Sequence, residues 1–380
     1  MSDLSIRHQI IEQPCSQLSV SAYFSEALFE QEQRLIFQHA PTYLGHELAV
    51  PEVGDYYALP QEAQGRALVR TPDGIELISN VCRHRQAIML QGRGNTRNHV
   101  VCPLHRWTYD LHGALVGAPH FAQDPCLNLK NYPLSNWNGL LFANTSDRQV
   151  GTDLAKLGCL ADLDFSGYVF DRAHLHECDY NWKTFIEVYL EDYHVGPFHP
   201  GLGSFVSCDD LQWEFGHHYS VQKVGVHKGL AQPGSKTYQR WHDALLKFRG
   251  GEPPASGAIW LTYFPTVMVE WYPHVLVVST LYPRGPRKTL NVVEFFYPEE
   301  IAAFERELVE AEQAAYMETC VEDDEIALRM DAGRLALMQR GDDEVGPYQS
   351  PMEDGMQHFH EWYRRQMGTA IGAEIGKIKP

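Results

Sequence analysis

Two short segments that each combine a cysteine with a histidine constrain the fold of this chain more than any other feature. They are Cys82-Arg83-His84 and Cys102-Pro103-Leu104-His105. A 2Fe-2S centre of mixed ligation takes two thiolates on one iron and two imidazoles on the other. Imidazole is neutral where thiolate is anionic, so such a centre accepts an electron more readily than an all-cysteine centre. The two segments therefore indicate electron transfer.

A structural zinc site is the alternative interpretation, because zinc also binds two cysteines and two histidines. The common zinc patterns keep the two cysteines together and the two histidines together. In this chain each segment mixes the two ligand types, and the first is a tight Cys-x-His. Ligand order and spacing favour the iron–sulfur interpretation.

The residues around these ligands resemble a known family. The stretch 82–105, its continuation Arg106–Gly113 and the following Ala114–Pro119 resemble the Rieske iron–sulfur domain of ring-hydroxylating oxygenases. Ferredoxins and cytochrome-complex subunits also contain Rieske domains, so the remainder of the chain has to distinguish between these classes.

Composition narrows the class of protein. The 380 residues suffice for two or three domains, and 44% hydrophobic with 21% charged residues is typical of a globular protein. A net charge of −18 disfavours nucleic acid as a partner. The absence of a long apolar run and of a signal-peptide pattern predicts no membrane span and a cytoplasmic location. Eight irregularly spaced cysteines do not suggest a disulfide framework.

Hydrophobic periodicity changes along the chain. Residues 22–40 have helical spacing, residues 42–144 alternate short apolar runs with turn residues, and Pro72-Asp73-Gly74 indicates a hairpin. From about Tyr168, strands precede helices, which predicts an α+β domain with helices on one face of an antiparallel sheet. The predicted elements are strands Ile259–Phe264, Val267–Tyr272, Val275–Leu281 and Thr289–Tyr297, helices from Pro298 to about Gln339, and a long loop over Lys228–Gly257.

A second metal site is predicted at His194 and His199. On an unbroken helix these two side chains would point well apart, but Gly196 and Pro197 interrupt the helix and let the chain turn. The two imidazoles can then converge on one ion. Two histidines with one carboxylate form the facial triad of non-haem iron(II) oxygenases, which leaves positions open for oxygen.

The carboxylate of that triad can come from a distant part of the chain. We nominate Asp323, with Asp324 as the second choice and Glu322 as the third, all in one helical stretch. Glu191 lies three residues before His194, which places both on one face of the predicted helix 181–194. Its carboxylate can accept a hydrogen bond from the ring nitrogen that faces away from the metal.

The order of motifs strengthens the resemblance. Asn181-Trp182-Lys183 followed by Glu191-x-x-His194-x4-His199-Pro200 resembles the mononuclear-iron motif of Rieske oxygenase catalytic subunits. The resemblance implies an α+β chain with a small all-β Rieske domain and a helix-grip (START-like) antiparallel-sheet catalytic domain. The corresponding limits are an N-terminal helical segment at 1–41 that packs on the catalytic domain, a Rieske domain at 42–145 and a catalytic domain at 146–380.

The resemblance also implies the site residues. Those of the 2Fe-2S cluster are Cys82, His84, Cys102 and His105, and those of the mononuclear Fe(II) are His194, His199 and Asp323. In a homotrimer, Glu191 would bridge His105 of one chain and His194 of the next, as an inter-subunit path for electrons.

The implied activity is that of the terminal oxygenase (alpha) subunit. Such a subunit uses O2 and electrons from an NAD(P)H reductase, directly or through a ferredoxin, to hydroxylate, dihydroxylate or oxidatively demethylate a small organic substrate. Glu191, where many members have aspartate, resembles the choline monooxygenase and carnitine oxygenase branch, so a quaternary amine is one expected substrate and an aromatic compound the other. The alternatives are an iron–sulfur electron-transfer or redox-sensing protein without oxygenase activity, and a zinc-stabilised binding protein.

Overall fold

The structure is a computed structural model that describes residues 17–227, 230 and 232–369. The chain divides into two compact units. The small unit comprises His39–Thr152 and Tyr168–Phe170, and the large unit comprises the other described residues.

The small unit is built from short strands, as the alternating pattern predicted. A five-stranded sheet has the order β5-β2-β3-β4-β9, and two three-stranded sheets have the orders β1-β11-β10 and β6-β7-β8. Thr71 pairs with Gly74 across a two-residue turn, which confirms the predicted hairpin. The strands are β1 (Thr42–His46), β2 (Asp55–Ala58), β3 (Arg66–Thr71), β4 (Gly74–Ser79), β5 (Arg93–Asn95), β6 (His99–Val101), β7 (Thr108–Asp110), β8 (Leu115–Gly117), β9 (Asn131–Tyr132), β10 (Ser135–Trp137) and β11 (Leu140–Ala143).

Strand β3 is buried on both faces, so it separates two hydrophobic cores. Successive side chains of a strand point to opposite faces. Ala67 and Val69 pack in one core together with Ile78, while Leu68 packs in the other together with Leu77. Cys82 and Cys102 belong to the first of these cores. The two cysteines are therefore held by the packed interior of the small unit.

The large unit contains a seven-stranded sheet of order β12-β18-β17-β16-β15-β14-β13. Each neighbouring pair from β13 to β18 is antiparallel, as expected for the α+β class. The four strands predicted from 259 to 297 are all present, with ends shifted by at most a few residues. The strands are β12 (Tyr168–Cys178), β13 (Val206–Phe215), β14 (Tyr219–Val226), β15 (Ala258–Tyr263), β16 (Val267–Tyr272), β17 (Val275–Gly285) and β18 (Lys288–Pro298).

Helices complete the fold, and they correct two predictions. The helix predicted over 22–40 begins only at Glu26, because Ser25 caps its start and accepts a hydrogen bond from Leu28 N–H, and it continues as a π-helix over Gln33–Phe37. The loop predicted over 228–257 is wrong: residues 236–248 form a helix, capped by Ser235, which accepts from Tyr238 N–H. The α-helices are α1 (Glu26–Glu32), α2 (Val150–Asp153), α3 (Trp182–Tyr189), α4 (Val195–Phe198), α5 (Leu202–Phe205), α6 (Lys236–Phe248), α7 (Glu299–Phe304), α8 (Arg306–Arg340) and α9 (Asp354–Met367).

Helices α6 and α8 pack with the sheet around one large core. Trp241 and Leu245 of α6 and Val309 of α8 lie in the same buried cluster as Val277 and Phe295 of the sheet. Burying apolar side chains is the main favourable contribution to such packing. None of the helices in the described part of the chain is long and apolar enough to cross a membrane.

Buried charges fix helix α3, which leads into the predicted metal site. Lys183 pairs with Glu32 at 2.6 Å, and both side chains are 1% exposed. Glu187 contacts Arg334 at 2.5 Å and His360 at 2.8 Å. Removing one partner from such a buried network leaves an uncompensated charge, which is strongly destabilising. The network therefore ties α3 to α1, α8 and α9.

Candidate metal centres

Two loops of the small unit present the four predicted cluster ligands with matching backbone geometry. Gln86 N–H donates to the Cys82 carbonyl at 3.1 Å, and Arg106 N–H donates to the Cys102 carbonyl at 3.1 Å. Gln86 and Arg106 both have left-handed backbone, with φ of 55° and 61°. Equivalent turns therefore follow both cysteines.

Burial separates the cysteines from the histidines in these loops. Cys82 and Cys102 are 1% and 2% exposed, whereas His105 is exposed and His84 is half-buried. The His84 and His105 rings lie 4.7 Å apart, and Trp107 stacks on His84 at 5.0 Å. The four donors thus approach from two loops, with the thiols towards the core and the imidazoles towards the surface.

The state of the donors fits a mixed-ligand iron–sulfur centre. Partial burial, followed by the positive potential of His105 and Arg85, lowers the pKa of His84, so its imidazole is neutral at pH 7. Within the described residues, Nδ1 of His84 is buried without a hydrogen-bond partner. Tyr109 O–H lies 3.6 Å from the Cys82 sulfur, and hydrogen bonds to cluster sulfurs tune such centres. A buried imidazole nitrogen without a partner is what a bound metal would satisfy.

The large unit brings together the predicted facial triad. Nε2 of His194 and Nε2 of His199 lie 2.9 Å apart. Oδ1 of Asp323 is 2.9 Å from Nε2 of His199 and 3.5 Å from Nε2 of His194. His194 and His199 flank the short helix α4, and Asp323 lies on α8. Two nitrogens and one oxygen therefore converge on one point.

Carboxylates hold the opposite nitrogen of each ring. Oε1 of Glu191 lies 2.6 Å from Nδ1 of His194, and Oε2 of Glu322 lies 2.7 Å from Nδ1 of His199. A carboxylate on the far nitrogen fixes the tautomer and the orientation of a metal-binding imidazole. The contact predicted for Glu191 is present, but not for the predicted reason, since α3 ends before Leu190 and Glu191 is not helical.

The charged groups of this site favour a positive charge at the two imidazoles or between them. Burial opposes protonation of His194, but hydrogen bonds to Asp323 and Glu191 outweigh it and raise its pKa to about 10. Burial also opposes protonation of His199, whose pKa is nevertheless raised by Asp323 and then by Glu322. A divalent cation would meet the same demand at the point where the donors converge, so the residues fit a mononuclear metal.

The two other acids considered for the triad have different positions. Asp324 points to another cluster, where it lies 2.6 Å from Nε2 of His176 and accepts from Tyr180 O–H at 2.7 Å. Glu322 contacts the metal-distal nitrogen of His199. The structure thus brings Asp323, and not Asp324, to the pair of Nε2 atoms.

A cavity opens beside the triad, with about 80 Å³ of space for water-sized molecules. This exceeds the volume needed for a single water several times over, so a small ligand can enter. The lining includes the acids Glu191, Asp192, Glu270, Glu312 and Asp323 and the aromatic residues Phe185, Tyr189, Tyr238, Trp241, Trp260, Tyr272 and Tyr316.

Sequence reasoning missed most of this wall, yet one signal was available. Glu270 is a charged residue within the otherwise apolar run Val267–Tyr272, and it is 1% exposed. Charged side chains are almost never fully buried without a specific partner. A buried acid in a central strand was therefore a candidate functional residue.

Comparison with known proteins agrees with this geometry. Residues 42–133 match the model of the Rieske [2Fe-2S] domain, and residues 165–369 match that of the ring hydroxylating alpha subunit (catalytic domain). Putrescine 2-hydroxylase of Ralstonia nicotianae is 69% identical over 97% of this chain and 100% of its own length. The carnitine monooxygenase oxygenase subunit of Escherichia coli is 25% identical over 89% of this chain and 90% of its own.

Solved structures share the fold. A quaternary ammonium Rieske monooxygenase superimposes with a TM-score of 0.73 at 20% identity, covering 93% of this chain and 96% of that one. Naphthalene 1,2-dioxygenase from Rhodococcus sp. gives a TM-score of 0.67 at 21% identity, covering 92% and 94%. The chain belongs to the ring-hydroxylating Rieske oxygenases as an alpha (terminal oxygenase) subunit, with a 2Fe-2S cluster and a mononuclear iron.

Proposed function

We propose that this terminal oxygenase hydroxylates an aliphatic diamine, with putrescine as the first candidate. The observation that carries the proposal is a metal-donor triad inside a cavity whose lining includes five acidic side chains and, among its residues, no lysine or arginine. Such a cavity attracts a cation and repels an aromatic acid. The relative that is 69% identical is a putrescine 2-hydroxylase. This replaces the quaternary amine and the aromatic compound as the preferred substrate.

The proposed metal ligands form two sets, one for each metal centre. We assign the cluster to Cys82, His84, Cys102 and His105, in a Rieske domain over 42–145. We assign the iron to His194, His199 and Asp323, in a catalytic domain over 146–380. We also propose that the N-terminal helical segment, assigned to 1–41, packs on this domain; its residues 1–16 lie outside the described part of the chain. The supporting observations are the matched loops of the small unit and the converging donors of the large unit.

Hydroxylation consumes one O2, two electrons and two protons, and it converts one C–H bond into C–OH with release of one water. When bound, the cluster supplies electrons and the mononuclear iron activates O2. The chain's own residues orient the metal donors and exclude bulk water. Glu191 and Glu322 hold His194 and His199 so that their Nε2 atoms face the open side of the site.

Subunits of this family take electrons from a reductase and assemble into oligomers. We propose a homotrimer in which His105 of one chain approaches Glu191 of the next, with electrons from NAD(P)H delivered by a reductase, directly or through a ferredoxin. The exposure of His105 supports this arrangement. Since NAD(P)H and reduced thiols occur in the cytoplasm, we also propose a cytoplasmic location. Light scattering of the purified protein would test the trimer.

Turnover with a surrogate reductase tests the function. Purified protein, NADH, putrescine and 18O2 should give a product that carries one labelled oxygen atom. Carnitine or naphthalene in place of putrescine should give no labelled product. Metal analysis should find three irons per chain, two from the cluster and one mononuclear, with two sulfides. Two irons with two sulfides and no product would support the electron-carrier alternative. Turnover of carnitine in place of putrescine would exclude the proposed substrate class.

A further inference from the structure

Glu270 lies on β16 in the wall of the cavity and is held there by aromatic hydroxyls. Tyr316 O–H donates to its Oε1 at 2.8 Å, and Tyr272 O–H donates to its Oε2 at 3.1 Å. Tyr272 in turn accepts from Trp260 Nε1–H at 2.8 Å. All four side chains line the cavity. The carboxylate is therefore fixed by its neighbours with one side towards the cavity.

The aromatic hydroxyls around Glu270 remain protonated. Burial is the main cause that raises the pKa of Tyr189, Tyr272 and Tyr316 well above its ordinary value. The hydroxyl of Tyr189 is also buried, and the neighbouring Glu270 is a further cause that raises its pKa. A carboxylate surrounded by neutral phenols and an indole is a suitable site for an ammonium group, which gains from the anion and from the aromatic faces.

The other acids of the cavity are occupied or differently placed. Glu191 and Asp323 contact the imidazoles of the triad. Glu312 accepts a hydrogen bond from Tyr297, which does not line the cavity, so this carboxyl is directed towards the core. Glu270 is the acid whose hydrogen-bond donors are the tyrosine hydroxyls of the cavity wall, not the imidazoles of the triad.

A second buried acid lies elsewhere in the same wall. Asp192 is 3% exposed, and within the described chain its Oδ2 has no hydrogen-bond partner. Burying a carboxylate without a partner is costly, so an acid of this kind is expected to meet a ligand. The cavity thus offers two separate buried acids, Glu270 and Asp192, to a ligand with two cationic ends.

We propose that Glu270, together with Tyr272, Tyr316 and Tyr189, binds one ammonium group of the diamine and so determines the preference for a diamine over a monoamine. The inference rests on the proposed function and names its specificity residue. Burial raises the pKa of Glu270 to about 7, and a bound ammonium would favour the ionised form. An uncharged end group would instead leave the buried acid without compensation.

The test is binding to the holoenzyme without oxygen, so that no turnover occurs. Calorimetry with putrescine and with 1-aminobutane measures the preference of the wild type for the diamine. Glu270→Gln should weaken putrescine binding about 100-fold, since removing one partner of a buried charge pair has effects of this size. The preference for putrescine over 1-aminobutane should fall in the same variant. Tyr316→Phe, which keeps the charge, should weaken putrescine binding by a smaller factor of about 5.

Two further variants give the controls. Glu294→Gln removes a buried acid of β18 that does not line the cavity, and it should retain the diamine preference. Glu312→Gln tests the neighbouring acid of the wall and should also retain it. Unchanged putrescine binding in Glu270→Gln, or loss of the preference for the diamine in Glu312→Gln, would overturn the inference about Glu270. Neither result would contradict the proposed diamine hydroxylase activity. A wild type that binds no diamine would overturn the proposed function itself.

Discussion

The two candidate metal centres differ in how they meet solvent. In the small unit the cysteines are buried and His105 is exposed, whereas in the large unit His199 is 1% exposed and lines a cavity together with Asp323. An electron can be delivered through an exposed imidazole edge. Oxygen activation next to a C–H bond requires a site that excludes water and admits one substrate. The same residue type, histidine, therefore lies at the surface of one unit and in the wall of a cavity in the other.

Removing a cluster cysteine should have the largest effect of the variants, and it tests whether the small unit holds the iron–sulfur centre. Cys102→Ser is expected to abolish the visible spectrum of the cluster and putrescine turnover, and to destabilise the small unit, because metal binding couples to folding. Absorbance, iron content and thermal unfolding measure these losses. Cys126→Ser is the matched control, since Cys126 is an exposed cysteine of the same unit. A coloured, active Cys102→Ser protein would contradict the cluster assignment.

Removing a triad histidine should separate the two centres. We expect His199→Ala to lower turnover by more than about 100-fold, because even the partners of metal ligands are worth 10- to 100-fold. The cluster spectrum should persist, and iron should fall from three to two per chain. His217→Ala, an exposed histidine of the large unit, is the control and should keep full activity. If His199→Ala retained the third iron, the mononuclear site would lie elsewhere.

Local patterns predicted the strands and both pairs of ligands, because these depend on short-range sequence. Strand β16 was predicted with its observed limits, Val267–Tyr272. His194 and His199 converge as predicted, but the predicted break is misplaced, since α3 already ends at Tyr189 and Gly196 and Pro197 lie within α4. Helix α6 was missed because Gly, Pro and Ser on either side of 236–248 dominate the composition of that stretch. The capping Ser235 was the signal that the averaged composition concealed.

The features that could not be predicted from the sequence depend on long-range packing. The choice between Asp323 and its neighbours depends on the rotation of α8 about its axis, and one residue changes the direction of a helical side chain by about 100°. The cavity wall combines β15, β16 and α8, so its composition depends on how those elements pack. Glu270 and Tyr316, from β16 and α8, meet only in the folded chain.

The acids on either side of Asp323 allow a finer comparison within the large unit. Glu322→Gln weakens the partner of His199 Nδ1 and should lower iron affinity or turnover by about 10-fold or more. Asp324→Asn alters the contacts with His176 and Tyr180 and should cost about 1–3 kcal/mol of stability, with the iron retained. Iron titration and chemical denaturation distinguish the two. Loss of iron in Asp324→Asn alone would reverse the assignment of the triad.

The last prediction is a pH-dependent effect on the stability of the small unit. Burial lowers the pKa of His46 to about 3, and its Nδ1 accepts from Leu48 N–H at 3.1 Å. Between pH 6.5 and 3 the unfolded chain binds a proton that the folded chain does not, so stability falls as pH falls, by up to about 1.4 kcal/mol per pH unit. His46→Asn keeps an acceptor for Leu48 but cannot titrate. Denaturation followed by cluster absorbance should therefore show that the variant loses about 2 kcal/mol less stability than the wild type from pH 7 to pH 5. If stability fell equally with pH in both proteins, His46 would not control the acid sensitivity of this unit.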